Sequence, residues 1–275
     1  MGMVIDLQKC VGCGACAIAC KTENNTQSRA RGQSFNWADF IYKTEGEFPN
    51  VKYAAIPVRC NHCSEPECLK GCPKPTALYK TEDGLTMFNY RYCIQCKKCQ
   101  EKCPYSVKDV EKEKAAYSVI SYNEVEVEPY DFYRDKKELI KGCTSSPAEV
   151  AKNNGTPPHK HAFNYKDDKN PLNPKDTKGK GEVRDARKGG WVEKCTFCIH
   201  RIRNNEKPYC VEACPANARI VGAVDDPSSD VSKLIAKYKP MRLKNNKGEW
   251  LKANEPGTKP NVYYIRNFRG EAHAT

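Results

Sequence analysis

The sequence predicts an α+β fold of short strands and helical turns organised around cysteine-rich loops, with a long polar excursion and a C-terminal tail. Three observations predict it. Sixteen of the seventeen cysteines fall into four groups of four. The groups recur with closely related spacings, and strand and hairpin patterns lie between them. The remaining composition leaves little for an ordinary core, since the apolar set with cysteine included is 39% of 275 residues.

The first group is Cys10, Cys13, Cys16 and Cys20, spaced C-x2-C-x2-C-x3-C, and the third, Cys93, Cys96, Cys99 and Cys103, repeats it. The second, Cys60, Cys63, Cys68 and Cys72, runs C-x2-C-x4-C-x3-C. The fourth, Cys195, Cys198, Cys210 and Cys214, runs C-x2-C-x11-C-x3-C. Pro73, Pro104 and Pro215 follow the last cysteine of three groups, and Lys21 stands there in the first. Three closely spaced cysteines let a loop wrap three corners of a cubane. The fourth starts a helical turn, points away and reaches a neighbouring cluster, as in two-cluster ferredoxins, whose cysteine run also ends in proline. Proline at that point removes an amide donor and presets φ for the start of a helix. Four complete sets imply four [4Fe–4S] clusters.

Other cysteine chemistries fit less well. Zinc prefers paired C-x2-C knuckles, and a thioredoxin-type site needs one C-x2-C pair. Disulfide frameworks belong to oxidising compartments and shorter chains. Cys143, in KGCTSSP, lies outside every group and reads as a free thiol.

Between the groups, Met3 to Leu7 alternates as a strand feeding the first loop, and the polar residues 21–50 read as a long connection,. Val51 to Val58 is a strand leading into the second group. Ala77–Tyr79 and Leu85–Phe88, joined through Glu82-Asp83-Gly84, form a hairpin before the third,. Cluster loop, helix, hairpin and cluster loop make the internal repeat of a ferredoxin. Val119–Val127 alternates weakly as a further strand. Residues 143–190, rich in Lys, Asn, Asp, Gly and Pro, read as an extended excursion, draped over a partner or partly mobile,. Trp191 leads into the fourth group, whose long gap holds a short helix, His200–Asn204. Ala218–Val224 is a strand and Asp225-Asp226-Pro227 a turn. Ser229 or Asp230 caps a helix over Val231–Tyr238, with Val231, Leu234, Ile235 and Tyr238 on one face,. The tail from Lys239 contains one strand, Asn261–Ile265, and packs on the body or on another subunit.

Composition excludes several classes. There is no apolar run of the roughly 18 residues that mark a membrane-spanning helix. The N-terminus lacks the basic and apolar regions of a secretory signal. The formal charge of +12, from 46 basic and 34 acidic residues, raises nucleic acid as a partner. The Lys175–Lys188 stretch is broken by Asp176, Glu182 and Asp185 and carries no aromatic, so it lacks the required stripe,. A cubane with four thiolates carries −2. Four clusters carry −8, and +12 − 8 leaves about +4, so the basic excess is better read as countercharge to buried anions,.

The segments CVGCGACAIACKTEN at 10–24, CNHCSEPECLKGCP at 60–73 and CIQCKKCQEKCPY at 93–105 carry a wider resemblance. So do KCTFCIHRIRNNEKPYCVEACPANARIVG at 194–222, DDPSSDVSKL at 225–234 and GTKPNVYYI at 257–265. The chain resembles the iron–sulfur electron-transfer subunits of the dimethyl-sulfoxide-reductase superfamily of molybdopterin oxidoreductases. Within it, the chain resembles in particular the small subunits of arsenate reductase and of catechol-dehydroxylase or polysulfide-reductase complexes. The resemblance implies two ferredoxin-like units, one inserted in the other. Residues 1–50 with 191–224 form the first and 51–127 the inserted second. Residues 128–190 are a docking excursion, and 225–275 a C-terminal helix and tail. It implies that Cys10, Cys13 and Cys16 share a cluster with Cys214, and Cys195, Cys198 and Cys210 with Cys20. Cys60, Cys63 and Cys68 share one with Cys103, and Cys93, Cys96 and Cys99 with Cys72. Two departures, Lys74-Pro75 after the second group and Ser106 where glycine is common, leave every ligand in place.

The expected function is a relay. Single electrons pass between a large molybdenum- or tungsten-pterin catalytic subunit and a quinone-linked membrane anchor or soluble carrier. The resemblance favours the extracytoplasmic face, reached by co-export with a twin-arginine-tagged partner, with the cytoplasm as the alternative. Lys97, Lys98, Lys102, Lys194, Arg201 and Arg203 lie beside ligands in sequence, where cations favour the reduced clusters or simply form a solvated face. His200 reads as a water-facing histidine, and His159 and His161 as surface residues without a third ligand. No nucleotide loop or nucleophile elbow appears, so no substrate site is expected. The competing functions are a self-contained iron–sulfur reductase, which needs an open iron site that sixteen cysteines do not leave, and a nucleic-acid-binding iron–sulfur protein.

Overall fold

The computed structural model describes residues 1–24, 26, 32–34, 36–89, 92–122 and 192–268. Cys143, His159, His161, Lys175–Lys188, Trp191, the 128–190 excursion and the end of the Val119–Val127 strand lie outside them. The described elements run β1 (Gly2–Asp6), α1 (Ala15–Asn24), β2 (Ala38–Glu45), β3 (Lys52–Arg59), α2 (Glu67–Lys70), β4 (Leu78–Lys80) and β5 (Thr86–Phe88). There follow α3 (Lys98–Lys102), β6 (Ser121–Tyr122), β7 (Val192–Glu193), α4 (Ile199–Ile202), α5 (Tyr209–Glu212), β8 (Arg219–Gly222), α6 (Asp230–Lys237) and β9 (Val262–Ile265). Helices and strands are mixed, and ferredoxin-like cluster motifs organise them.

β1 is buried along its whole length. It sits between β8, antiparallel, and β9, parallel, in a three-stranded sheet. A strand covered on both faces reads as a continuous apolar run, which Met3-Val4-Ile5 supplies. α6 lies against this sheet. The Ser229 hydroxyl caps it by accepting the Ser232 N–H at 3.1 Å, an arrangement worth about 1 kcal/mol. Its apolar face meets Val4 and Ile265 through buried Val231, with Leu234, Ile235 and Tyr238 alongside. A carboxylate at position 231 would break that packing.

Residues 21–50 differ from expectation. They are not one connection, because α1 continues to Asn24 and Ala38–Glu45 forms β2. β2 pairs with β3 over eight residues, from Ala38 opposite Arg59 to Glu45 opposite Lys52. The base of this hairpin is buried and its tip exposed. The polar tip hides the strand from pattern reading, and the cross-strand partners, including stacked Tyr42 and Tyr53, hold it,.

The prolines also differ. Pro73, Pro104 and Pro215 follow the helical turns α2, α3 and α5 and close them rather than start new ones. Each of those helices spans four or five residues. α1, with Lys21 in that place, spans ten. A proline lacks the N–H that the next helical bond needs, and its ring clashes with the preceding turn.

α1 packs on α5, joining groups one and four, and α2 packs on α3, joining groups two and three. Most of the cysteines belong to the main core, alongside Met3, Trp37, Tyr117, Phe197 and Tyr264. The tail contributes buried Leu243 and Tyr264 to that core and is therefore packed on the body. Ser106 accepts the Ile120 N–H at 2.9 Å through its hydroxyl, a contact that glycine could not make.

Candidate iron–sulfur sites

In each group the first two cysteines flank two loop residues. The second of these, Gly12, His62, Gln95 or Phe197, has φ of +68, +43, +61 or +61°. Three are not glycine, so each of those holds a left-handed conformation costing about 1–2 kcal/mol. The common twist reverses the loop so that both cysteines face one hollow. The third and fourth cysteines are four residues apart on or just beyond a helical turn. They share a face but stand about 6 Å apart along the axis, which lets them enter different hollows.

Four sets of thiols converge. Cys10, Cys13, Cys16 and Cys214 line one hollow of about 350 Å³ (site I). Cys20 interacts with Cys195, Cys198 and Cys210 (site II). Cys60, Cys63, Cys68 and Cys103 line a hollow of about 340 Å³ (site III). Cys72, Cys93, Cys96 and Cys99 line one of about 400 Å³ (site IV). Between sites, Cys16 interacts with Cys210, Cys195 with Cys60, and Cys68 with Cys99. These contacts make neighbours of sites I and II, II and III, and III and IV. Cys13 and Cys96, in the two end sites, are exposed.

Burial pushes the Cys63 thiol up to about 12 and Cys68 to about 11, and it raises Cys20 and Cys103 well above the ordinary thiol value. Four thiolates in such a hollow need a cationic core among them. Among the described residues no three His, Cys, Asp or Glu close around a single ion. The donor set is all sulfur and surrounds hollows, so it fits polynuclear iron–sulfur centres.

Donors that the sequence reading missed point at these sulfurs. Arg219 donates to Cys16 Sγ at 3.1 Å, and the Ala218 N–H to Cys214 Sγ at 3.3 Å. Asn24 approaches Cys20 Sγ at 3.5 Å and Cys198 Sγ at 3.9 Å. The Phe197 N–H donates to Cys195 Sγ at 3.3 Å. Arg59 lies 3.8 Å from Cys210 Sγ. From the tail, the Thr258 hydroxyl donates to Cys63 Sγ at 3.0 Å and is joined to Tyr105 Oη at 3.0 Å. Such contacts to ligand sulfur tune a bound cluster. Only Asn24 had a local signal. Lys21 in place of proline lets α1 run one turn further and deliver it.

The basic residues named from sequence divide. Lys194 is buried and donates to the carbonyls of Thr86 and Cys195. Lys97 sits over the Tyr122 ring at 3.3 Å. Arg201 is tied to Glu23, Glu206 and Glu212, and Arg203 to Asp83. Lys98 and Lys102 are exposed. His200 does not face water. It is buried, with Nε2 2.6 Å from Glu23 Oε1, because the extra turn of α1 places Glu23 against α4. His62 is fully buried and held well below the ordinary imidazole value, first by burial and then by Lys194, Arg59 and Lys80.

Converging cysteine sets, with donors aimed at sulfur, define a ferredoxin-type electron-transfer protein. The chain matches a family described as a 4Fe-4S dicluster domain over residues 51–128 and 181–224, and a 4Fe-4S binding domain over residues 1–22. It is 42% identical to the arsenate respiratory reductase iron–sulfur subunit ArrB of Shewanella sp. (strain ANA-3), covering 98% of this chain and 97% of that one. It is 31% identical to a subunit of the selenate reductase of Mesobacillus selenatarsenatis, covering 96% and 70%. It is 24% identical to a subunit of the tetrathionate reductase of Salmonella typhimurium, covering 96% and 71%. The chain belongs to the family of iron–sulfur electron-transfer subunits of molybdopterin oxidoreductases. Among the described residues no helix is long and apolar enough to cross a membrane.

Proposed function

We propose that the chain holds four [4Fe–4S] clusters, one in each of sites I to IV. We propose further that it relays single electrons between a large molybdenum- or tungsten-pterin catalytic subunit and a quinone-linked membrane anchor or soluble carrier. The observation that carries this reading is the grouping of the thiols, three sets of four lining shared hollows and Cys20 lying among Cys195, Cys198 and Cys210. When bound, each cluster supplies a one-electron couple. The protein's residues hold the cysteines, exclude water from sites II and III, and present donors to sulfur. The two end sites suit exchange with partners. Val11 after Cys10 and Ile94 after Cys93 occupy equivalent loop positions, and both are exposed apolar residues.

The packing of α1 on α5 and of α2 on α3 supports residues 1–50 with 191–224 as one unit and 51–127 as a second inserted in it. Similarity to the arsenate-reductase subunit supports an arsenate-type respiratory complex as its home. We also propose carriage to the extracytoplasmic face by a twin-arginine-tagged partner, with the cytoplasm as the alternative, which cell fractionation tests. The principal test is iron content with EPR of the dithionite-reduced protein. About sixteen irons per chain and four distinguishable couples are expected. A count near twelve would refute the four-cluster claim.

A further inference from the structure

Among the described residues, two buried arginines have no acidic partner within salt-bridge distance. Arg59 is 2% exposed and Arg219 4%. Asp6 pairs with Arg266, and Glu23 with His200 and Arg201. Arg219 has Cys16 Sγ as its hydrogen-bond acceptor. Arg59 is less satisfied. Its Nη1 meets Met3 Sδ at 3.4 Å and Cys210 Sγ at 3.8 Å, its guanidinium lies 4.1 Å from the Phe197 ring centroid, and its Nε and Nη2 have no partner. A buried charge left unpaired among the described residues is strongly destabilising, and a ring face and a thioether do not offset that. The anions near Arg59 are cysteine sulfurs. One thiol of site II, Cys210, thus lies against the guanidinium. Its own backbone ends β3 and leads directly into Cys60 of site III.

We propose that Arg59 is the positioning residue that supplies the fixed countercharge to site II. It thereby makes site II easier to reduce than a neutral side chain at that position would. The inference rests on the four-site reading above. A cubane held by four thiolates would go from −2 to −3 on accepting one electron from a neighbouring cluster, with no proton required to follow. A guanidinium that cannot lose its own proton favours the added electron at any working pH. Because it protrudes from the strand that opens site III, it also ties the energy of site II to the half of the molecule that contains sites III and IV.

The test uses the iron-loaded full chain in three forms, wild type, R59M and R59K. Iron content and potentiometric titration followed by EPR are measured on each. In R59M, with about sixteen irons retained, one couple is expected to become at least about tenfold less reduced at fixed potential, about 59 mV for one electron. The other three are expected to move less. R59K, which restores the charge without the fork, is expected to recover most of the shift. If R59M loses iron, a count near twelve with three couples intact also supports the assignment, because site II alone then fails to hold its thiolates. R59M with all four couples unmoved would overturn it. So would R59K shifting as far as R59M, or iron lost from every site, since the role would then be packing. A wild-type count near twelve would refute the four-site reading instead, and a shift of one remaining couple in R59M would still support Arg59.

Discussion

The half built on the first and fourth groups and the half built on the second and third surround their sulfurs differently. In the first, guanidinium groups reach ligand sulfur directly, Arg219 at Cys16 and Arg59 near Cys210. In the second, the nearby cations spend their hydrogen bonds on backbone. Lys80 donates to the carbonyls of Cys63 at 2.6 Å and Gly84 at 2.7 Å, and Lys194, which comes from the fourth group but lines site III, donates to those of Thr86 and Cys195. The sulfur of Cys63 receives instead a neutral hydroxyl from Thr258. Charge-assisted hydrogen bonds are about twice as strong as neutral ones. The contrast teaches that similar cysteine loops can be set to different potentials by what the rest of the chain brings to them. Sites I and II are expected to be the more easily reduced pair.

The largest test removes what the halves share. Chelating the iron leaves buried thiols without a cationic core, and ligation is folding energy in such proteins. Loss of the cooperative melt in both halves is expected by calorimetry, and an apoprotein melting at the holo temperature would contradict the inorganic core. Next, Lys21→Pro makes the first group like the other three. It should cost about 3 kcal/mol, shorten α1, and remove Asn24 from site II. Circular dichroism and denaturant titration read the loss.

Arg219→Met acts on one half alone. Removing a charged hydrogen bond of about 1.5–3 kcal/mol should make one couple roughly tenfold or more harder to reduce. Thr258→Val is its counterpart in the other half, with an expected shift of about 1 kcal/mol confined to one couple. If Thr258→Val moved its couple as far as Arg219→Met, the contrast between the halves would fail. Smallest of all, Lys98→Ala and Lys102→Ala at the exposed end should leave every couple within error at physiological salt, since exposed charges are screened.

Much of the fold was legible. β3, the β4–β5 hairpin, β8, α6 and β9 fall where alternation, turn residues and the Ser229 cap put them. The β2 strand was not, because its outer half is polar and only pairing with β3 makes it a strand. His200 looked like a surface residue among basic neighbours. It is buried because Glu23, 177 positions away, meets it. The signal for that lay in Lys21, where the missing proline extends the helix.

By itself the sequence determined the cysteine sets and the class of cofactor, because a cubane loop is built from residues within a few positions of one another and its spacing is visible in one dimension. It also determined that the chain is short of ordinary core. Only the tertiary structure decided what each sulfur feels. Arg59, Thr258 and Arg219 stand 151, 195 and 203 positions from the sulfurs they approach. Hydrogen bonds and charge act through distance in space, and no local pattern encodes a meeting between residues so far apart along the chain.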